Sequence, residues 1–378
     1  MSNSHSRNKV LILMSLITIA LIVVFLSWTF IFSSGNLILE DSAIKIGIIG
    51  HFSGEYASYG IPMKNAIELA VKEINNNGGV DGKNLELIVE DDVTDSTKAV
   101  SGVSKLINVD KVDYIISVQG SGATSSIIPS INDNKKLLMI TLGSAPGLAD
   151  DKEYIFRSVP SDVYQASEMA EYINLNFKSV PVAGLYRNDA YGKGIQSIIE
   201  DNLDNIVVGE VYDVTSSDVR TQLTKIKESN SNILIVAGEK SSYPIIFKQM
   251  IELDMNLIIF TSETFYDKEV LNDIDVEKFD SIYTFFPEDP VDYVSFSDKY
   301  VNEFNEEPSA YSMYAYDGTM ALIKALENSD NVEDVKRELK ELSFSGASGT
   351  VSFDVDGDRS GIEYSVYRVV DGEFVVVE

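Results

Sequence analysis

The sequence predicts an α/β protein of two doubly wound, parallel-sheet lobes, preceded by an N-terminal transmembrane helix. Three observations carry this reading. Residues 10–32 form an apolar run without a single charge. From Ile44 onward, short β-rich runs alternate with stretches of helical periodicity. The length of 378 residues, with 44% hydrophobic side chains, suffices for more than one core at roughly 100–200 residues per domain.

The run VLILMSLITIALIVVFLSWTFIF is long enough to span a bilayer, which takes about 20 apolar residues. A cleaved signal peptide has a shorter apolar core of about 7–15 residues. Arg7 and Lys9 precede the run, so residues 1–9 are expected inside and the body outside. Trp28 stands near the outer end, where an interfacial anchor is favoured. Beyond it, IKIGIIG (44–50) reads as a buried strand, and 61–77 as a helix carrying Ala66, Ile67, Leu69, Ala70, Val71 and Ile74 on one stripe. NNNGGVDG (75–82) stops that helix. LELIVE (85–90) is the second strand, and Asp95 or Ser96 caps the next helix. Runs at 112–118, 136–141, 180–186, 206–212, 232–238 and 256–261 repeat the pattern. Near-continuous apolar strands joined by helices imply parallel sheets covered on both faces. One sheet would be too wide, and Pro160-Ser161 marks a crossover. The expected lobes are 43–161 with 285–345, and 162–284 with 346–378. Within them 294–304, 311–328 and 331–342 read as helices, and 349–355, 363–370 and 373–378 as short antiparallel strands.

Composition excludes several functions. Cysteine is absent and there are two histidines, which removes thiol nucleophiles, disulfides and Cys/His metal sites. A formal net charge of −29, from 59 acidic and 30 basic residues, argues against nucleic acid. No G-x-S-x-G elbow, H-E-x-x-H or Walker A sequence occurs. His51 reads as a polar residue after the first strand rather than a base beside Ser53. Glu90-Asp91-Asp92 reads as a solvated loop. Asp354-x-Asp356-x-Asp358 reads as a turn, because Arg359 stands where a calcium loop needs glycine. No enzyme activity, cofactor or metal site is expected.

What remains lies just past the strand ends, where open α/β sheets bind ligands. HFSGEYASYG (51–60), QGSGATSS (119–126), LGSAPG (142–147), RNDAYGKG (187–194), GEKSSYP (238–244) and SETFYD (262–267) offer hydroxyls, backbone donors, tyrosines and a carboxylate. Hydroxyls and helix N-termini hold carboxylates, glutamate holds an ammonium, and tyrosine rings cover an apolar body. That inventory suits a small zwitterion.

Residues 44–92, YGKG (191–194), AYDGTMALIKAL (315–326) and GTVSFDVDGD (349–358) together resemble the type I periplasmic-binding-protein fold, in the leucine/isoleucine/valine-binding family of ABC importers. The resemblance covers about 43–378. It implies two lobes joined by three crossing segments, closing on a ligand by a hinge. It also implies roles for individual residues: Tyr59 against the ligand side chain, Ser121 on its carboxylate, Leu142, Gly143 and Ser144 beside that group, Tyr191 from the second lobe, and Glu263 on the α-ammonium. Glu239, Lys240 or Tyr243 would tune specificity. The expected function is capture of an amino acid of branched-chain type, or a related small carboxylate or amide, for ABC permease and ATPase subunits. The alternative is the ligand-sensing ectodomain of a membrane receptor complex, whose output a partner would supply. The expected location is the cell membrane, single-pass, with the binding domain extracytoplasmic.

Overall fold

The computed structural model describes Ile22 and residues 43–54, 56–287 and 292–377. The tail 1–9 and, apart from Ile22, the anchor expected at 10–32 lie outside the described residues. Among the described residues no helix is long and apolar enough to cross a membrane.

The chain first runs β1 (Ile44–Gly50), α1 (Ala57–Asn76), β2 (Leu85–Asp91), α2 (Ser96–Asn108), β3 (Tyr114–Val118), α3 (Ser121–Asp133), β4 (Leu137–Ile140) and β5 (Ile155–Arg157). It continues through α4 (Asp162–Asn176), β6 (Val182–Arg187), α5 (Ala190–Asn202), β7 (Ile206–Tyr212), α6 (Arg220–Glu228), β8 (Ile233–Ala237), α7 (Tyr243–Glu252), β9 (Ile258–Thr261), α8 (Lys268–Asn272) and β10 (Ser281–Pro287). Then come α9 (Tyr293–Phe304), α10 (Ser312–Leu326), α11 (Val332–Glu341), β11 (Ser343–Gly346), β12 (Gly349–Ser352), β13 (Tyr364–Val370) and β14 (Glu373–Val376).

The first sheet has the order β2-β1-β3-β4-β5 and is wholly parallel. Every residue of β3 and β4 is buried, as a strand covered on both faces requires. One face packs on α1, α9 and α10, the other on α2 and α3. The second sheet has the order β14-β13-β10-β9-β8-β6-β7, with β13 and β14 antiparallel to their neighbours. It packs on α4 and α5 on one face and on α6, α7 and α8 on the other. The chain passes between the sheets three times: β5 to α4, β10 to α9, and β12 to β13.

Several details differ from the sequence pattern. Helix α1 starts at Ala57, ahead of Pro62, although proline favours the first helical position. The three residues of β5 are too few to show a period. The segment at 349–352 joins neither large sheet. It pairs with β11 as a separate hairpin, and its Val351 packs into the core of the first sheet. Gly60 is demanded by packing, because a Cβ there would sit 1.8 Å from the His51 carbonyl oxygen.

Two fully buried arginines tie the crossings together. Arg157 donates to the carbonyls of Ser144 (2.8 Å) and Ala145 (2.7 Å), and through Nε to Asp358 (2.8 Å). Arg359 donates to the carbonyls of Ser158, Ser348 and Thr350 at 2.8–3.1 Å. The Asp354 carboxylate accepts the N–H groups of Asp356 (3.0 Å) and Asp358 (2.9 Å), which forms the expected turn. Asp358 points inward from that turn to Arg157 rather than outward to a cation.

Candidate functional site

Strand order reverses between β1 and β3 in one sheet and between β6 and β8 in the other. Such switch points open crevices at the carboxyl ends of strands. A cavity of about 300 Å³ lies there, lined from both sheets. That is the lower end of the range for small-molecule sites.

A buried network builds the first-lobe wall. His51, after β1, donates from Nδ1 to Asp92 Oδ1 (2.6 Å) and accepts the Gly120 N–H at Nε2 (3.0 Å). Asp92 also accepts from Gln119 and from the Thr94 N–H (2.8 Å). Both ring nitrogens are therefore committed, and His51 holds the N-terminus of α3 in place. Asp92 is fully buried, which corrects the reading of 90–92 as a solvated loop: Glu90 and Asp91 continue β2, and Asp92 turns in to His51. At the head of α3, Ser121 Oγ accepts the Ala145 N–H (3.1 Å). Its hydroxyl proton is left to donate, beside helix N–H groups that have no intrahelical acceptor. An anion is the natural occupant of that corner.

The second-lobe wall is acidic. Glu263, in the turn after β9, is buried. Its Oε2 accepts from the Tyr191 hydroxyl (2.8 Å) and from the Gln165 amide. The same amide donates to Asp162 (2.6 Å), and Gln165 Oε1 accepts the Glu263 N–H (3.0 Å). Burial, and next the charge of Asp162, push the Glu263 carboxyl well above the usual carboxylate range. Burial raises Asp162 in the same way. Among the described residues Glu263 makes no ion pair. Arg187, at the end of β6, is bonded instead to Glu239 and Asp189. Its guanidinium stands 5.3 Å from the centre of the Tyr191 ring. From the opposite lobe, the Tyr59 hydroxyl donates to Glu239 Oε1 (2.6 Å).

A family model described as periplasmic binding protein matches residues 43–373. The chain belongs to this family. Its members are binding proteins rather than enzymes, and this one is a solute-binding protein. The Leu/Ile/Val-binding protein of Escherichia coli (strain K12) is similar, with 25% identity over 341 residues, covering 88% of this chain and 92% of that protein. So is Leu/Ile/Val-binding protein homolog 3 of Brucella melitensis, at 23% over 346 residues, covering 89% and 94%. The crystal structure of the branched-chain amino acid transporter substrate binding protein LivJ from Streptococcus pneumoniae, in complex with isoleucine, superposes with a TM-score of 0.77. It is 26% identical and covers 89% of this chain and 99% of that one.

In this periplasmic binding protein the cavity brings together Tyr59, Ser121, Leu142, Ser144, Tyr191 and Glu263. Gly143 is not among the lining residues: it faces Thr124 and Leu148. The Ser144 carbonyl accepts the Asp162 N–H (2.8 Å). Of the loop after β8, Glu239 lines the cavity. Lys240 lines an adjoining one of about 260 Å³ and pairs with Asp267 and Glu269. Tyr243 is fully buried, its ring against Phe265 and its hydroxyl 2.9 Å from Ser262 and Thr264, so it serves the core. Among the lining residues to which the sequence assigns no role are Arg187, Asp189 and Tyr311. In RNDAYG only the tyrosine carries an expected role, and nothing local announces that Arg187 pairs with both Asp189 and Glu239. Among the described residues no group of His, Cys, Asp and Glu could hold a metal ion.

Proposed function

We propose that this binding protein captures an amino acid between its lobes and presents it to the permease and ATPase subunits of an ABC importer. The α-carboxylate sits at the head of α3, on the Ser121 hydroxyl and helix N–H groups. The α-ammonium sits on Glu263, and the side chain extends along Tyr59 and Tyr191. The observation that carries this reading is Glu263: a buried carboxylate in the cavity wall, held by neutral donors from Tyr191 and Gln165. A charge taken from water is costly unless paired, and the ligand's ammonium is the missing cation. The relatives, Leu/Ile/Val-binding proteins and an isoleucine-bound structure, support an amino acid as the class.

The two sheets, each with the helices packed on it, move as the two lobes of the clamp, the β11–β12 hairpin going with the first sheet and β10 through Pro287 with the second, and residues 10–32 hold the body at the outer face of the membrane. A thermal-shift panel of the twenty amino acids, amides, urea and small acids on the full-length protein tests the binding. A ligand at 100 times its dissociation constant stabilises by about 2.7 kcal/mol. Absence of any shift with amino acids would sink the proposal. Peptides from upstream of Ser33 in the mature protein are the expected result of mass spectrometry if the anchor is retained. A new N-terminus near Gly35 would overturn the anchor.

A further inference from the structure

The far end of the cavity from Glu263 does not suit an aliphatic side chain. Tyr191 separates the two ends: its hydroxyl reaches Glu263, and Arg187 stands over its ring. Around Arg187 lie Glu239 and Asp189, and all three line the cavity. Their hydrogen-bond capacity is partly used. Glu239 Oε1 holds the Tyr59 hydroxyl and the Lys240 N–H (2.9 Å), while Oε2 holds one guanidinium N–H. Asp189 Oδ1 caps α5 through the Gly192 N–H (3.0 Å), while Oδ2 holds the other guanidinium nitrogen. Each of these two outer oxygens can accept again. Of the five guanidinium N–H groups of Arg187, these bonds use one on each terminal nitrogen, and the second N–H on each is left to donate.

The cluster therefore offers an unused donor beside unused acceptors. Its net formal charge is one negative, from two carboxylates and one guanidinium. A side-chain carboxylate would be repelled by it and would leave the acceptors unmet. An ammonium would crowd Arg187 and leave its spare N–H groups unmet. A methyl-ended side chain would strip water from all of these groups and replace none of its bonds. A carboxamide meets both needs, its oxygen taking a spare terminal N–H of the guanidinium and its NH2 donating to Glu239 and Asp189.

Building on the amino-acid reading of the site, we infer that Arg187, Asp189 and Glu239 form a carboxamide subsite. The favoured ligands are amino acids whose side chains end in an amide or ureido group, ahead of the branched-chain ones. Sites built to hydrogen-bond a polar group reject analogues that lack it far more strongly than apolar pockets sort by size.

Calorimetric titration of the full-length protein with glutamine, asparagine, citrulline, leucine, isoleucine, valine, glutamate and lysine tests this. At least one amide or ureido ligand should bind tenfold or more tightly than every other member of the panel. Arg187→Met, with its melting curve checked against wild type, should shrink that advantage to within about threefold. Glu239→Gln should also reduce it, and serves if Arg187→Met fails to fold. Equal or tighter binding of leucine, isoleucine or valine would overturn the subsite and leave the amino-acid reading intact. Tightest binding of glutamate or lysine would overturn it in favour of a charged side chain. If no amino acid binds, the underlying reading fails and the subsite with it.

Discussion

Glu263→Gln removes one negative charge and almost no volume from the cavity wall. Because Oε2 receives both the Tyr191 hydroxyl and the Gln165 amide, a glutamine carbonyl oxygen in that place keeps both bonds. What is lost is the counter-charge for a ligand ammonium. Breaking a buried pair costs about 3–5 kcal/mol. Asp162 remains close, held by the same Gln165 amide at 2.6 Å, so the lower end applies. About 3 kcal/mol weakens the best amino-acid ligand on the order of 100-fold. Without ligand the sign reverses. The wild-type carboxyl is desolvated and pushed by Asp162, so the amide should raise the melting temperature of the empty protein. Calorimetric titration and thermal melts of wild type and variant read both effects. Affinity within about threefold of wild type, under roughly 0.7 kcal/mol, would refute the ammonium role. A lower melting temperature without ligand would show that Glu263 is structural.

Three further outcomes follow from the same geometry. Glu263 and Asp162 have folded pKa values raised by burial, so their contribution to the empty protein's stability is full below the unfolded carboxylate range, about pH 4, and is lost as pH rises through the raised values. An ammonium needs the ionised form, so ligand binding near neutral pH should release protons; titration heats that do not change between buffers of different ionisation enthalpy would contradict this. Tyr59→Phe deletes the interlobe bond to Glu239, and hydrogen bonds to charged groups contribute about 1.5–3 kcal/mol; ligand affinity should drop roughly tenfold, and the shrinkage in radius of gyration on ligand addition, read by small-angle scattering, should be smaller than in wild type. An undiminished response in both measurements would remove the bond from the closing mechanism. His51→Phe leaves Asp92 buried without its imidazole donor, which should destabilise by about 1.5–3 kcal/mol in urea titrations; an unchanged midpoint would mean that the network is dispensable.

The parallel strands were legible because each is an apolar run bounded by turn residues, and β1, β3 and β4 lie within a residue or two of their expected bounds. The Asp95 cap was legible too, and its side chain accepts the N–H groups of Thr97 and Lys98. Strand β5 and the pairing of β11 with β12 were not, since a three-residue strand has no period and partner choice is decided by tertiary packing. In the site, residues just past strand ends could be picked out by their chemistry. Asp92 and Arg187 could not: a charged residue at or just past a strand end looks solvated until the residues that bury it, His51 and Gln119 for one and Glu239 for the other, arrive from elsewhere in the chain.

Arg157 also sets an order of events. Its counter-ion, Asp358, is 201 residues further along the chain. Until Asp358 arrives, that guanidinium lacks the carboxylate that pairs with it, and the end of β5 lacks the Gly357 carbonyl that accepts the Arg157 N–H (2.9 Å). The first lobe is consequently the first to be synthesised and among the last to be finished. Nascent chain emerging from a ribosome, or threading outward through a membrane pore, stays unlocked until nearly its whole length is through.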